Sequence, residues 1–396
     1  MAYVYIINTG DELIYGDTLN KDGKIIAEKL YEFGFEVKKI VCLKDDTEGI
    51  RREISYAVKQ ADLIILTGGL GLGPKDITRE VVKDFFKLHF VIHEESYEKI
   101  KKFYKSDRED VKKQAMVPES SVVFYNRIGL APGFAFEVLK SVIVLPGPPD
   151  EILSMWKDVE KYIKNKFDKK KIYTHIFRVY KVFEADIKKL IRDINTDIKI
   201  QLRKPGIDLI LRSYDEIDNK IIEKLRNRLK DYLYTENDKN IEEILGEILR
   251  KHNLTLSVFE SCTGGLVQNL ITDVSGSSDY FVGGSVVYSN RLKVDICGVR
   301  RETLQKYGAV SRQTVYEMVK GGMNNFNTDT AIGISGIAGP NGGTKEKPVG
   351  VVYIGVGYRN KIMVNKYLFT GVRVYIKKQS AFTSIFDLIK LIKRIL

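Results

Sequence analysis

The chain places one serine and two glycines between a strand pattern and a helix pattern, in the segment E-S-C-T-G-G at residues 260–265. An apolar run over 254–259 precedes this segment, and a helical pattern over 266–271 follows it. The free amides at a helix start favour anions and developing negative charge, and glycine lets a substrate approach the backbone closely. Ser261 therefore lies where a hydrolase could hold a nucleophile. The alternative is that its hydroxyl only caps the helix.

The composition bounds the class of protein. A chain of 396 residues, 44% hydrophobic and 29% charged, predicts two or three soluble domains. No apolar run is long enough to span a bilayer, residues 1–7 read as a first strand, and Cys42, Cys262 and Cys297 match no zinc pattern. We therefore expect a cytoplasmic protein without a membrane partner.

The net charge of +12 admits nucleic acid as a partner. Lysine and glutamate are nevertheless mixed along most helix patterns, and the basic excess forms no long uninterrupted arm. Anionic small molecules account for the charge equally well. We therefore do not expect nucleic acid to be the partner.

Strand and helix patterns alternate over residues 1–167. Strands are predicted over 3–8, 36–43, 62–67 and 141–145, and helices over 21–33, 47–60, 78–88, 94–105 and 150–167. Strands separated by helices predict a doubly wound, mostly parallel α/β domain.

The rest of the chain divides into a small module and a third unit. Residues 168–236 predict an α+β module with strands over 171–182, 198–203 and 208–212, helices over 184–193 and 215–232, and a polar linker over 234–240. Residues 237–396 predict a second α/β domain that ends in a long helix over 373–395.

Two residues downstream of Ser261 fit the same chemistry. Tyr288 ends an apolar strand pattern, and Lys293 starts the next helix pattern. A partly desolvated lysine can lose its proton near neutral pH and act as a base, and a Ser–Lys pair is a known way to activate an alcohol. The alternative is a surface lysine beside a strand-end tyrosine.

A loop rich in glycine and proline follows the strand pattern that ends near residue 335. Its backbone amides, around Ser335, Gly336 and Gly339, could face a phosphate or an oxyanion. An ordinary surface loop is the alternative, and no P-loop motif occurs.

Taken together, these segments resemble the C-terminal domain of the CinA family, which is of the nicotinamide mononucleotide deamidase (PncC) type. The motifs that carry the resemblance are E-S-C-T-G-G at 260–265, G-S-S at 276–278, V-V-Y-S-N-R-L-K at 286–293, G-A-V-S at 308–311, I-S-G-I-A-G-P at 334–340 and K-P-V-G at 347–350. The resemblance implies hydrolysis of the carboxamide of nicotinamide mononucleotide (NMN) to nicotinate mononucleotide and ammonia, in pyridine nucleotide salvage.

In that reaction the resemblance implies that Ser261 attacks the carboxamide carbon and Lys293 takes the hydroxyl proton, with Tyr288 bridging between them. No cofactor is implied for this step. The substrate-binding residues implied are Thr263, Gly264, Gly265, Asn290, Ser335, Gly336, Gly339, Arg373 and Lys377. The chain departs from the family near its end, where Val372 replaces an aspartate and Lys377 replaces an arginine, which predicts altered phosphate binding.

Residues 1–167 resemble the other half of the same family, which is similar to the MoaB/MogA molybdopterin-binding fold. The carriers are T-G-D-E-L at 9–13, T-G-G-L-G at 67–71, D-I-T at 76–78, K-Q-A at 113–115, A-P-G at 131–133 and L-P-G-P-P at 145–149. The resemblance implies an ADP-ribose pyrophosphatase with a divalent metal. The residues nominated for this site are Asp11, Glu12, Gly68, Gly69, Gly71 and Asp76, with Asp76 as the metal ligand.

The carboxylates of this first site could instead cap helices or turns. Departures from the family's pattern at Leu72, Gly73 and Lys75 place the pyrophosphatase activity in question, since Lys75 replaces a carboxylate.

The module over 168–236 matches the position of a KH-like domain but lacks a G-x-x-G loop, which predicts a spacer or a dimerisation element in a homodimer. Two other functions stay open. They are a metal-dependent nucleotide pyrophosphatase as the main activity, and a non-enzymatic protein that binds a nucleotide or a pterin.

Overall fold

The structure is a computed structural model that describes residues 2–168 and 171–396. The chain forms two compact units that divide after Tyr173. No helix within the described ranges combines the length and apolar character needed to cross a bilayer.

The first unit is built on a six-stranded sheet. Its strands are β1 (Tyr3–Thr9), β2 (Glu36–Leu43), β3 (Leu63–Thr67), β4 (Phe90–Ile92), β5 (Met116–Pro118), β6 (Val122–Phe124), β7 (Gly133–Glu137) and β8 (Ser141–Leu145). Its helices are α1 (Asp11–Tyr15), α2 (Lys21–Tyr31), α3 (Thr47–Gln60), α4 (Thr78–Phe86), α5 (Glu94–Tyr104), α6 (Glu109–Gln114) and α7 (Pro149–Lys166).

The sheet order is β2-β1-β3-β8-β7-β6, and β4 pairs with β5 separately. Strands β2, β1, β3 and β8 are parallel, whereas β7 and β6 continue the sheet antiparallel. Alternate residues of β1 enter different cores, because Ile7 packs with α3 and Ile6 packs with α2 and α7. Helices therefore cover both faces, which confirms the predicted doubly wound, mostly parallel fold.

The second unit begins with a four-stranded sheet of order β10-β11-β9-β12. Its elements are β9 (Tyr173–Val179), α8 (Glu184–Ile191), β10 (Ile198–Leu202), β11 (Ile207–Ser213), α9 (Asn219–Leu229) and β12 (Leu233–Thr235). Tyr234 is buried in β12, which pairs with β9. The predicted linker is therefore wrong at its start, because 234–235 belong to the sheet. The predicted boundary at 236/237 stays a prediction.

A five-stranded sheet of order β14-β13-β15-β16-β17 forms the rest of this unit. Its strands are β13 (Leu256–Glu260), β14 (Phe281–Val286), β15 (Thr330–Gly336), β16 (Val351–Tyr358) and β17 (Lys361–Leu368). Its helices are α10 (Ile241–Lys251), α11 (Leu266–Thr272), α12 (Asn290–Cys297), α13 (Arg301–Tyr307), α14 (Arg312–Phe326) and α15 (Arg373–Ile395), with a short 3-10 helix at Ser277–Asp279.

Helices α10, α11 and α15 pack on one face of this sheet, and α12 and α14 pack on the other. Strands β14, β13 and β15 run parallel, whereas β16 and β17 are antiparallel. The carboxyl ends of the three parallel strands therefore meet at one edge, which is where ligands bind in open α/β sheets.

Candidate active sites

Ser261 lies at the carboxyl end of β13, the strand between β14 and β15. Its amide donates to the carbonyl of Ile334 at 3.0 Å, which ties the turn to the end of β15. The residue is only 8% exposed. Ser261 is thus held at the edge of the sheet where the strand order reverses.

The turn after Ser261 uses its own amides. Gly264 and Gly265 have φ angles of 64° and 93°, in the left-handed region that favours glycine. The Gly264 amide donates to the Ser261 carbonyl at 3.2 Å, and the Gly265 amide donates to Glu260 Oε2 at 3.0 Å. The amides of Gly264 and Gly265, two of the predicted substrate-binding residues, are therefore engaged within the turn.

Thr263, the third predicted residue of the turn, is fully buried. Its Oγ1 has no hydrogen-bond partner in the described part of the chain. Because the whole residue is enclosed by protein, Thr263 has no surface with which to contact a substrate in this structure, which differs from its predicted binding role.

Glu260 is a residue that sequence reasoning used only as part of a motif. It is fully buried, and its carboxylate accepts from the amides of Gly265, Val267 at 3.2 Å and Gln268 at 3.0 Å, and from Gln268 Nε2 at 3.2 Å. These amides include the first of α11, which have no partner inside the helix. An acid just before a glycine turn that opens a helix is the signal that could have identified it.

Lys293 points into the protein and meets Ser261. It lies in the first turn of α12, which starts after Ser289, whose side chain caps the amide of Leu292 at 3.2 Å. Lys293 is 1% exposed, and its Nζ is 3.2 Å from Ser261 Oγ. The same Nζ donates to the carbonyls of Val287 at 2.8 Å and Tyr288 at 3.1 Å. The structure thus brings the predicted Ser–Lys pair into direct contact.

Burial lowers the pKa of the Lys293 amine below its ordinary value of 10.5, since desolvation disfavours the ammonium form. Within the described ranges no carboxylate forms an ion pair with this amine. A neutral amine has two N–H bonds and one lone pair, which match the two carbonyls and the one hydroxyl around Nζ. The surroundings therefore suit a lysine that accepts the proton of Ser261.

Tyr288 does not bridge the Ser–Lys pair in this structure. Its hydroxyl bonds to Arg373 Nη2 at 3.3 Å, its ring is exposed, and only its backbone carbonyl meets Lys293. The bridging role predicted for the phenol differs from this geometry, because Lys293 reaches Ser261 without an intermediary. The phenol lies at the mouth of the site, beside a guanidinium.

Arg373 and Lys377 place positive charge near the glycine turn. Arg373 opens α15 and donates from Nη1 to the carbonyl of Gly339 at 2.7 Å. Lys377 Nζ lies 3.5 Å from the position that a Cβ atom on Gly264 would occupy. The start of α15 has no side-chain cap, so its first amides add to the attraction for an anion.

The other predicted binding residues have mixed positions. The Ser335 hydroxyl donates to the Ala309 carbonyl at 2.8 Å, and Gly336 pairs with β16, so both serve the fold. Gly339 meets Arg373 as described. Asn290 is exposed and lines a cavity with Arg301. Its role in substrate binding stays a prediction.

The first unit contains its own cavity, of about 790 Å³, at the carboxyl ends of β1, β3 and β8. Five of the six nominated residues line it directly, and they are Glu12, Gly68, Gly69, Gly71 and Asp76. Gly68 has a φ of 92°, and a Cβ there would lie 2.2 Å from the Thr9 carbonyl oxygen. Only glycine lets β1 and this loop approach so closely.

Two of the carboxylates at this cavity, Asp11 and Asp76, already have partners. Asp11 forms an ion pair with Lys75, and its Oδ1 accepts from the Asp45 amide at 3.2 Å. Asp76 Oδ2 accepts from the Gly73 amide at 2.7 Å, which caps the loop. Burial, with Glu12 nearby, raises the pKa of Asp22 to about 6.

These residues do not fit a divalent metal. Within residues 2–168 and 171–396, no group of three or more histidine, cysteine, aspartate or glutamate side chains is arranged to hold one. The ammonium of Lys75 contacts Asp11, where a cation would have to bind. One carboxylate oxygen of Asp76 already accepts a hydrogen bond from the Gly73 amide of its own loop. Hard divalent cations need several free oxygen ligands, so the predicted role of Asp76 as a metal ligand has no support in this geometry.

Comparison with known proteins agrees with this architecture. Residues 238–392 match the model of the CinA C-terminal domain, and residues 5–165 match a model described as "probable molybdopterin binding domain". The chain therefore combines an α/β domain of the probable molybdopterin binding type with a CinA C-terminal domain.

Full-length relatives extend the match. The chain is 36% identical to the CinA-like protein of Thermotoga neapolitana, with 99% of each chain covered, and 36% identical to that of Dictyoglomus thermophilum, with 93% and 94% covered. It belongs to the CinA-like protein family. A crystal structure of competence/damage inducible protein CihA from Agrobacterium tumefaciens is 38% identical over 38% of this chain and 94% of that chain, with a TM-score of 0.37.

Proposed function

We propose that this chain hydrolyses the carboxamide of NMN to nicotinate mononucleotide and ammonia. The observation that carries the proposal is the buried amine of Lys293, 3.2 Å from Ser261 Oγ and without an acidic partner in the described ranges. A nucleophilic alcohol needs an adjacent base, and an uncharged lysine supplies one.

The first half of the reaction forms an ester. The Ser261 oxygen attacks the carboxamide carbon while the Lys293 amine takes the hydroxyl proton. The tetrahedral intermediate then collapses: the C–N bond breaks, and the Lys293 ammonium returns its proton to the leaving nitrogen, which departs as ammonia. The nicotinate group of the nucleotide is left esterified to Ser261.

The second half consumes water. Lys293, neutral again, takes a proton from water as the water oxygen attacks the ester carbon. Collapse breaks the bond to Ser261, and the proton on Lys293 returns to the serine oxygen. The phosphate of the nucleotide fits beside Arg373 and Lys377 at the start of α15, where the helix amides are uncapped.

The test is ammonia release from NMN by the full chain. We expect Ser261→Ala to abolish turnover and Lys293→Ala to lower kcat by about 100- to 10,000-fold. Trapping with acid should leave a mass increase equal to the nicotinate mononucleotide acyl group on the wild-type chain and none on Ser261→Ala. Full activity in Ser261→Ala would remove serine from the mechanism, and tight NMN binding without turnover by the wild type would favour a binding protein.

A further inference from the structure

The cavity of the first unit is framed by three loops that follow parallel strands. They are residues 9–13 after β1, 68–73 after β3 and 146–149 after β8. Gly68 and Gly69 both have positive φ, so the second loop exposes backbone without side chains in the way. Such a loop at the carboxyl edge of an α/β sheet suits a phosphate or a pyrophosphate.

The amides and cations of this cavity are available to such a group. The amides of Gly69 and Gly71 donate no hydrogen bond to any residue that the structure describes, whereas the Gly68 amide donates to Leu145 at 3.1 Å. Lys21, Lys75 and Lys99 line the cavity. Lys99 is already used, since its Nζ donates to two backbone carbonyls at 2.6 Å.

Lys75 is held differently from the other two lysines. It lies at the end of the glycine loop, and its ammonium pairs with Asp11 from the loop after β1. Because an ammonium has three N–H donors and Asp11 takes one, two remain for a ligand oxygen. The Asp11 side chain is in turn fixed by the amide of Asp45, so the position of the charge is set by two loops.

Five carboxylates line the cavity and a sixth, Asp11, contacts the lining residue Lys75, so their charge opposes the entry of a phosphate. In many phosphate sites a divalent cation offsets such charge, but the acids of this cavity do not fit one, as shown above. Lys75 neutralises Asp11, and the loop amide of Gly73 satisfies an oxygen of Asp76.

We propose that the Lys75 ammonium, fixed by Asp11, takes the place of a divalent metal, so that this cavity binds a pyrophosphate-bearing nucleotide without one. The inference does not rest on the deamidation at Ser261, which lies in the other unit and needs no ligand in this cavity.

The test measures the affinity of the full chain for ADP-ribose by calorimetry, once in chelator and once in excess Mg²⁺. We expect the wild-type Kd to differ by less than about twofold between the two conditions. Lys75→Gln should weaken binding by about 10-fold or more in both, because a charged donor is lost. Lys75→Asp should bind weakly in chelator and recover at least about 10-fold with Mg²⁺, since it adds a carboxylate where the ammonium was.

Lys24→Gln is the matched control, because Lys24 is an exposed lysine of the same unit that pairs only with Glu28 across the surface of α2. Its Kd should equal that of the wild type. Trp156 is buried in the core of the first unit and is the one tryptophan of the chain, so its fluorescence reports that each variant has folded.

Three results would overturn the proposal: wild-type binding that appears only with Mg²⁺, Lys75→Gln binding as tightly as the wild type, or no binding of ADP-ribose in either condition. Ammonia release from NMN is measured in parallel on the same preparations. Ammonia release tests only the proposal for the Ser261 site, and ADP-ribose binding tests only the proposal for this cavity, so the failure of one can be distinguished from the failure of the other.

Discussion

Replacing Glu260 with glutamine tests whether the glycine turn is held by a carboxylate. Glutamine keeps the size of the side chain but turns one of the two acceptor oxygens into a donor. The carboxylate accepts two hydrogen bonds at each oxygen, from Gly265 and Val267 at Oε2 and from the backbone and side chain of Gln268 at Oε1. The substitution therefore cannot satisfy all four donors.

The magnitude follows from this count. In the better orientation the amide oxygen replaces Oε2, and the side chain of Gln268 can rotate to accept from the new NH₂ group. One buried backbone donor, the Gln268 amide, is then unpaired, at a cost of about 1–3 kcal/mol. The two retained bonds change from charged to neutral acceptors, a further loss of about 1 kcal/mol each. Relief of the desolvation of the charge offsets part of this, which leaves a net destabilisation of about 2–4 kcal/mol.

Hydrogen exchange of the peptide over 256–272 measures the effect directly. A loss of about 2–4 kcal/mol corresponds to about 30- to 700-fold faster exchange of these amides. Because the turn also positions Ser261, kcat for ammonia release should fall while the KM for NMN changes little.

Glu302→Gln is the control, since Glu302 is an exposed acid in the first turn of α13 and shares only the helix-end effect. Unchanged exchange and kcat in Glu260→Gln would refute the reasoning that this carboxylate holds the turn.

Three further outcomes follow from the same site. Because burial lowers the pKa of Lys293, kcat/KM for NMN should rise with pH and reach its midpoint below 10.5. The free energy of unfolding of this unit should rise between the lowered pKa and about 10.5, because in that range the unfolded chain binds the proton and the folded chain does not. A rate profile with its midpoint at or above 10.5 would contradict this. Arg373→Gln should raise the KM for NMN by about 10- to 100-fold and leave the KM for nicotinamide riboside, which lacks the phosphate, unchanged. Lys378→Gln, which changes an exposed neighbour, is the control. Equal effects on both substrates would exclude a phosphate contact. Tyr288→Phe should lower kcat by less than about 10-fold, because its phenol meets Arg373 and not Ser261, and a loss as large as that of Lys293→Ala would restore the proton-relay role.

Long periodic segments of this fold were predictable from the sequence. The pattern over 373–395 coincides with α15, and the patterns over 36–43 and 47–60 coincide with β2 and α3. The antiparallel edge formed by β6 and β7 was not predicted, because strands of three and five residues are too short to show alternation. The last two residues of β12 were predicted to be linker, because the polar residues that follow them obscured the buried Tyr234.

The candidate active site around Ser261 also has a part that the sequence predicted and a part that it did not. Motif spacing singled out Ser261 and Lys293, which the fold brings within 3.2 Å. It could not show that the Tyr288 phenol meets Arg373, since that contact joins residues 85 positions apart and depends on where α15 begins. Motif spacing also could not show that the Gly265 amide donates to the Glu260 carboxylate, because a hydrogen bond between a side chain and a nearby backbone group has no sequence pattern of its own.

The two units use a lysine in opposite ways at similar places, each beside a glycine turn at the carboxyl edge of a sheet. Lys293 is buried among carbonyls and a hydroxyl, so its pKa falls and it can take up a proton. Lys75 is exposed and hydrogen-bonded to Asp11, which raises its pKa and keeps it charged. The same side chain is thus suited to proton transfer in one site and to charge neutralisation in the other, and the difference is set by desolvation against an adjacent carboxylate. Exchanging those surroundings should exchange the roles: a carboxylate placed beside Lys293, as in Cys297→Asp, where the present thiol already interacts electrostatically with the amine, should hold the ammonium and stop deamidation even though Ser261 and Lys293 are both present.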